Sequence, residues 1–218
     1  MPSTYAVSLV LQGRKCVVVG AGDVGERKID GLLESGADVV VIGPDATPGV
    51  RAWARDGRIA WTDREYAAGD LDGAFLAIAA TDDRDVNRRI AEEASERRVL
   101  LNVVDDPELC MFTAPALLKR GDLTVAISTN GKSPAMARKV REDLEARFPE
   151  NYGDLVAAAA EARDALRQEG RQVAGDVWNA ALGPVIDQFA GDGRGAEAKV
   201  ALLRLLRAGA ETDHKERP

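Results

Sequence analysis

Residues Lys15 to Gly36, KCVVVGAGDVGERKIDGLLESG, decide how the rest of the chain is read. An apolar run, Cys16 to Val19, leads straight into Gly20-Ala21-Gly22-Asp23-Val24-Gly25. Behind it Val24, Ile29, Leu32 and Leu33 recur at helical spacing among Glu26, Arg27, Lys28 and Glu34. This is a strand, a tight glycine turn and a helix start, in the order a dinucleotide-binding unit requires. Gly20 permits the turn, Gly22 lets a pyrophosphate approach the backbone, and Gly25 lets the helix lie close on the strand. The free N–H groups and the dipole of the helix start then face the anion. Gly36 follows the last apolar position as a left-handed helix stop.

Outward from that unit, apolar runs alternate with helical patterns. Val7 to Leu11 is predicted as a short strand before the Gly13 turn. Val39 to Ile42 is the second strand of the main alternation. A helix over Thr47–Asp56 and a short strand over Arg58–Trp61 come next. Ala74 to Ala79 is continuously apolar, as a strand buried on both faces must be. Asp82 or Asp83 caps a helix that runs to Arg98, and Val99 to Val104 follows as a strand. Five strands alternating with helices predict an α/β fold, a Rossmann-type doubly wound parallel sheet, over residues 1–113.

After Asp106 the pattern changes. Phe112–Leu118 and Leu123–Ser128 read as two strands, and Ser133 and Pro134 open a helix to Phe148 with Met136, Val140 and Leu144 on one face. Residues 114–150 are thus a small α+β segment. A C-terminal helical domain over 151–218 follows, with helical runs at 152–169, 171–190 and 195–209 and a disordered tail from Glu211.

Composition removes several classes of function. Apolar content of 45% and charged content of 30% are those of an ordinary globular protein. No apolar run approaches the roughly 18 residues that cross a bilayer, so no membrane span is expected. The start, MPSTYAVSLVLQGRK, has neither the basic opening nor the cleavage site of a signal peptide. A net charge of −7 argues against nucleic acid as a partner. Cys16 and Cys110 are too few for a disulfide framework, which points to reduced thiols in the cytoplasm. The single histidine, His214, lies in the polar tail, so no histidine-built metal site is expected.

Ligands of such sheets sit at the carboxyl ends of the strands. The polar groups falling there are Asp23, Thr81-Asp82-Asp83 and Asn102 to Asp106, although capping and turn chemistry account equally well for Asp82 and Asp83. At the tip of strand two, Ile42-Gly43-Pro44-Asp45, the acid that would hold an adenine ribose stands past a proline. No arginine or lysine adjoins it to bind an extra phosphate, which favours NAD over NADP. Asp105 is the carboxylate expected to act. It stands just past strand five, where it can accept a proton while a hydride leaves. A plain turn aspartate before Pro107 is the competing reading. Asp106 is expected to point the other way, because successive residues leaving a strand alternate. Cys110 has no histidine to activate it as a nucleophile. Lys119, Arg120, Lys132, Arg138, Lys139 and Arg141, with only Asp122 among them, form either a solvated helix face or a positive wall for a substrate with several carboxylates. The Thr129–Pro134 turn at a helix start would add N–H donors for the same anion.

Five stretches, Leu11-Gln12-Gly13-Arg14-Lys15, VVVGAGDVGERK, FLAIAATDD, NVVDDPELCMF and AISTNGKSPAMARKVREDLE, occur here in an order and spacing that resemble the precorrin-2 dehydrogenase/sirohydrochlorin ferrochelatase family. The resemblance covers about residues 5–150, and the helical remainder agrees with the family in length only. It implies a cytosolic homodimer in sirohaem synthesis that oxidises precorrin-2, a macrocycle ringed with carboxylates, to sirohydrochlorin with NAD. Some members also insert ferrous iron into that product, and cobaltous ion is the alternative metal. By the same resemblance Asp105 of the NVVD motif is the catalytic group, and NAD contacts fall at Asp23, Val24, Pro44 and Asp45. The NGKSP segment then lies on the substrate-side, dimer-forming region.

The expected site is therefore Asp105 as proton acceptor, with no resident metal. Gly20, Gly22, Asp23, Val24, Gly25, Pro44, Asp45, Thr81, Asp82, Asn102 and Val103 surround NAD, and Thr129, Asn130, Gly131, Lys132, Ser133 and Arg138 face the substrate. Asn130-Gly131 stands where the family often has Gly-Gly, and Met111 after Cys110 is also a departure. Larger sirohaem synthases carry an attached methyltransferase, which these residues lack, so a separate source of precorrin-2 is expected. Two other readings compete. A chelatase that binds little NAD is opposed by Gly20, Gly22 and Gly25. A nucleotide-sensing regulatory domain would share those glycines and need neither Asp105 nor the basic stretch.

Overall fold

The computed structural model describes residues 4–216, with side chains to residue 210. Strand β1 (Lys15–Val19) is buried along Cys16–Val19 and is the middle strand of five. It is flanked by β2 (Asp38–Ile42) and β4 (Leu76–Ala79), with β3 (Ala60–Thr62) and β5 (Leu100–Val103) outermost, in the order β3-β2-β1-β4-β5. All pairings are parallel, with Val19 level with both Ile42 and Ala79, and Ala79 level with Val103. The strand order reverses between β1 and β4, so the carboxyl ends of these strands open a crevice there.

The alternation of a strand sends neighbouring residues to opposite faces, and both faces are covered. Cys16 and Val18 pack with Ile29 and Leu32 of α1 (Asp23–Glu34) and Val50 of α2 (Pro48–Arg55). Val17 and Val19 pack with Ile90 and Ala94 of α3 (Arg84–Arg97). Helix α1 closes as the Gly36 reading requires. Gly36 is left-handed at φ 71°, its N–H bonds Leu33 O at 3.0 Å, and that of Ala37 bonds Leu32 O at 3.1 Å. The expected strand over Val7–Leu11 does not form, because among the described residues no strand lies beside it to complete a ladder. Tyr5, Val7 and Val10 are exposed and only Leu11 is buried.

The chain divides into two compact units, Met1–Ala114 and Pro115–Pro218. Phe112, read as the start of a strand, instead packs into the first unit's core. In the second unit β6 (Ala116–Arg120) and β7 (Leu123–Ile127) form an antiparallel hairpin, turned at Gly121 with φ 55°. Helix α4 (Pro134–Arg147) is capped by Ser133, whose Oγ accepts the Met136 N–H at 3.2 Å. Its buried position is Ala137, one residue on from the expected Met136, which is 56% exposed. Helices α5 (Tyr152–Gln168), α6 (Gly175–Phe189) and α7 (Gly195–Glu216) share a core of Leu166, Val185, Phe189, Leu202 and Leu206. Residues 171–174 are not helical, and α7 runs on through part of the tail expected to be disordered. The side chain of His214 lies outside the described residues.

A buried carboxylate ties the loop before β4 to α3. Glu93, 8% exposed, accepts the Tyr66 hydroxyl and the N–H groups of Gly69 (3.0 Å) and Leu71 (3.3 Å), and meets Arg97 Nε at 2.7 Å. Burial pushes the Glu93 carboxyl up, yet the hydrogen bonds from Tyr66, Gly69 and Leu71 and the charge of Arg97 together hold it below the usual range. Glu93→Ala should cost about 2 kcal/mol, because several donors lose their acceptor. A carboxyl held low contributes fully above an unfolded value of about 4.3, and that contribution is lost as the pH falls through the folded pKa. Urea unfolding of wild type and variant should therefore differ most at neutral pH and converge in acid.

Candidate active site

At the carboxyl end of β1 the chain turns left-handed at Gly20, φ 109°. A Cβ at Gly20 would collide with the carbonyl of Ala80, and one at Gly25 with the carbonyl of Gly20, so neither position has room for a side chain. Gly22 is different. Its φ of −78° is open to any residue, and nothing lies within 4 Å of where a Cβ would stand. It caps α1 with no side-chain hydrogen bond, so no capping side chain takes up the first N–H groups of the helix, among them those of Asp23 and Val24. A helix start without a side-chain cap, beside a glycine with open space before it, is where a pyrophosphate binds, so this cradle fits a dinucleotide. The loop carrying Pro44 and Asp45 is bonded to the same turn, Thr47 N–H to Ala21 O at 3.1 Å. Both residues are exposed there, with Asp45 left-handed at φ 53°.

Beside the turn lies a cleft of about 200 Å³, lined by Val24, Ala80, Thr81, Asp82, Arg84, Val104, Asp105 and Asp106. Asp105 and Asp106 both line it, against the expectation that only one would. Alternation holds along an extended strand, but β5 ends at Val103 and the chain turns at once. Asp106 N–H bonds back to Val103 O at 3.4 Å, with Asp105 left-handed at φ 59°. Thr81 is held in place through its backbone oxygen, which accepts the buried Asn87 amide at 3.0 Å, while its hydroxyl accepts the Asp83 N–H at 3.1 Å. Asp83, not Asp82, caps α3, accepting from Asp85 N–H at 2.8 Å and Val86 N–H at 3.1 Å. Asp82 is thereby left to the cleft.

Asn102 and Val103 are not in the lining. The Asn102 amide donates to Phe112 O at 2.9 Å, and the N–H and carbonyl of Val103 each lie 3.2 Å from the Cys110 sulfur. These bonds hold the segment that returns past β5. Burial pushes the Cys110 thiol up, only partly opposed by the Val103 N–H, which suits a structural thiol better than a nucleophile.

In the second unit Thr129, Asn130, Gly131, Lys132 and Ser133 form a tight turn, with Asn130 and Gly131 both left-handed at φ 51° and 74°. Lys132 N–H bonds Thr129 O at 3.0 Å, Ser133 N–H bonds Thr129 Oγ1 at 3.0 Å, and Asn130 N–H bonds Ser128 Oγ at 3.1 Å. Most of the amides expected to meet an anion are thus used inside the turn. The positive stretch is also thinner than its sequence implies, since Lys139 pairs with Asp143 at 2.7 Å, Arg141 with Glu145, and Arg120 with Glu150 at 3.4 Å. Among the described residues Lys132 and Arg138 make no ion pair, so they are the cations this segment offers.

A family profile for NAD(P)-binding domains matches residues 7–116, and a second, for the central part of sirohaem biosynthesis proteins, matches residues 120–147. The chain belongs to the NAD(P)-binding family of sirohaem biosynthesis proteins. Among relatives, a siroheme synthase of Methylobacillus flagellatus is 38% identical over 98% of this chain and 46% of its own length. Siroheme synthase 2 of Cronobacter sakazakii is 43% identical over 72% of this chain and 35% of its own. The chain thus spans less than half the length of these relatives. The solved structure of SirC, precorrin-2 dehydrogenase, superposes with a TM-score of 0.71 at 25% identity, covering 94% of this chain and 100% of that one.

Two residues of this NAD(P)-binding unit escaped the sequence reading. Arg84 is the one cation in the cleft lining, set against the carboxylates of Asp82, Asp105 and Asp106. Its place straight after the Asp82-Asp83 pair was the available signal. Asn87, 5% exposed, positions Thr81, and a polar residue in register with Ile90 and Ala94 on α3 was its clue. Among the described residues no three His, Cys, Asp or Glu side chains are grouped to hold a metal, and no helix is long and apolar enough to cross a membrane.

Gly22 and Gly25 separate by experiment. Gly22→Val should fold normally and bind NAD at least about tenfold more weakly, a change of about 1.4 kcal/mol. Gly25→Val should lose folded protein itself. Calorimetric titration with NAD beside a thermal melt distinguishes the two.

Proposed function

We propose that this chain oxidises precorrin-2 to sirohydrochlorin with NAD, acting as a cytoplasmic homodimer in sirohaem synthesis. The observation that carries the reading is Asp105 lining a cleft beside a glycine cradle that fits a dinucleotide. Support also comes from SirC, named a precorrin-2 dehydrogenase, which matches nearly the whole of this chain, and from the siroheme synthases that match it in part.

NAD supplies a two-electron hydride acceptor when bound at Gly20, Gly22 and Gly25. The first amides of α1 hold its pyrophosphate, and Asp45 takes the adenine ribose, which an extra phosphate would crowd with like charge. Removing a hydride from the macrocycle leaves a proton to be lost, and Asp105 accepts it. A carboxylate does this well beside apolar groups, here Val24, Ala80 and Val104, in a cleft otherwise lined by polar residues. Arg84 offsets one of the three carboxylate charges of the cleft when an anionic substrate enters. Lys132 and Arg138 contact the substrate's carboxylates from the 114–150 segment, which also forms the dimer. A two-stranded sheet such as β6–β7 is marginal by itself, and an unpaired edge invites a partner strand.

Anaerobic incubation with precorrin-2 and NAD should yield NADH and the absorbance of sirohydrochlorin in equal amounts. Ferrous or cobaltous ion added to that product, with enzyme and without, reads whether the chain also inserts metal. Asp105→Ala should lower dehydrogenation by about 10²-fold or more, with NAD affinity within about twofold of wild type. Unchanged turnover removes Asp105 from the mechanism. Tight NAD binding with no turnover in the wild type would make the chain a nucleotide-sensing domain instead. Lys132→Gln with Arg138→Gln should raise the substrate KM and flatten its dependence on salt.

A further inference from the structure

A cavity of about 700 Å³ lies in the helical part of the second unit and shares no residue with the cleft at Asp105. Its volume falls within the roughly 300–1,000 Å³ of small-molecule sites. One rim is cationic. Arg163 and Arg167 are one turn apart on α5, on the same side of the helix. The helix then stops at left-handed Gly170, and Arg171 N–H bonds back to Leu166 O at 2.9 Å. That closure folds the chain back over the last turn of α5 and sets Arg171 near Arg167. The facing wall is apolar and partly aromatic, with Trp178 and Leu182 one turn apart on α6 and Leu166 at the floor.

The arginines are weakly compensated. Arg167 reaches Asp164 only at 3.9 Å with both side chains well exposed, and Arg171 shares Glu169 with Arg207. Arg163 makes no ion pair among the described residues. A chain of net charge −7 that gathers three guanidinium groups around one cavity presents a local positive field for an anion. Guanidinium groups bind carboxylates in a two-pronged fashion, and an indole face stacks on a flat conjugated body. A single-headed acyl anion would engage one arginine and leave the others idle. A disc with carboxylates around its edge answers all of them.

We propose that this cavity is a second binding site, for a planar tetrapyrrole polycarboxylate, which rests on the tetrapyrrole chemistry of the function proposed above. The probe is uroporphyrin, already fully conjugated and so not a substrate for dehydrogenation. Its binding is read as quenching of Trp178 emission, taken as the difference between wild type and Trp178→Phe, in which Trp53 and Trp61 remain. Saturable quenching is expected in the wild type. Arg163→Gln with Arg167→Gln, both at exposed positions, should raise the Kd at least about tenfold, as loss of charge-assisted hydrogen bonds predicts. Unaltered affinity in that variant overturns the site. So does displacement of uroporphyrin by dodecanoate at comparable concentration, which would identify a site for acyl anions. NADH formation from precorrin-2 is recorded in parallel. Normal turnover with no arginine-dependent quenching removes the second site alone, whereas arginine-dependent quenching without turnover removes the dehydrogenase reading alone.

Discussion

The first turn of α1 rests on bare backbone. Gly25 lies so close to the Gly20 carbonyl, and Gly20 to that of Ala80, that no Cβ could stand at either place. This contact draws the helix start down onto the ends of β1 and β4, where the strand order reverses. With no side chain capping α1 at Gly22, its first amides are left to a ligand. The same closeness fixes the neighbouring loop through Thr47 and Ala21. Cradle, neighbouring loop and cleft are consequences of two glycines that cannot be replaced and a third that needs only empty space in front of it.

Asp105 owes its position to a turn. A residue leaving β5 in extended conformation would have carried its carboxylate to one face and that of Asp106 to the other. The left-handed backbone at Asp105 ends the alternation and brings both acids to the cleft. Left-handed backbone on a residue other than glycine costs about 1 kcal/mol, and such strain collects where function holds it in place. The segment returning past β5 is locked by Asn102 and the Cys110 sulfur, so the turn stands on a fixed base.

The second unit shows how far charge in sequence differs from charge in space. Three of the six cations between Lys119 and Arg141 are met by acids lying just beyond that window, Asp143, Glu145 and Glu150. Lys132 and Arg138 make no ion pair among the described residues. The helical residues, unremarkable as an Ala- and Arg-rich tract, add Arg171 to the rim that Arg163 and Arg167 begin on α5 because the helix stops at Gly170 and the chain folds back.

The parallel sheet, its five strands to within a residue or two and the close-packed glycines were legible from periodicity and from glycine spacing, because buried strands must be apolar throughout and a close backbone approach admits only glycine. Chain order and local chemistry also announced Ser133 as a cap and Gly36 as a stop, and they put Asp105 at the carboxyl end of β5, where the cleft lies. The failures share one cause. Val7 to Leu11 has strand composition, but a strand needs a neighbour, and no run of residues states whether one is there. Arg84, Asn87 and the double exposure of Asp105 and Asp106 depend on which way a turn faces, and the loss of Lys139 and Arg141 from the positive stretch depends on which acids a helix brings within reach. Sequence by itself determined what each segment can be, through backbone sterics and apolar period. Tertiary structure alone decided which side chains share a space, because that is set by contacts between residues far apart in the chain.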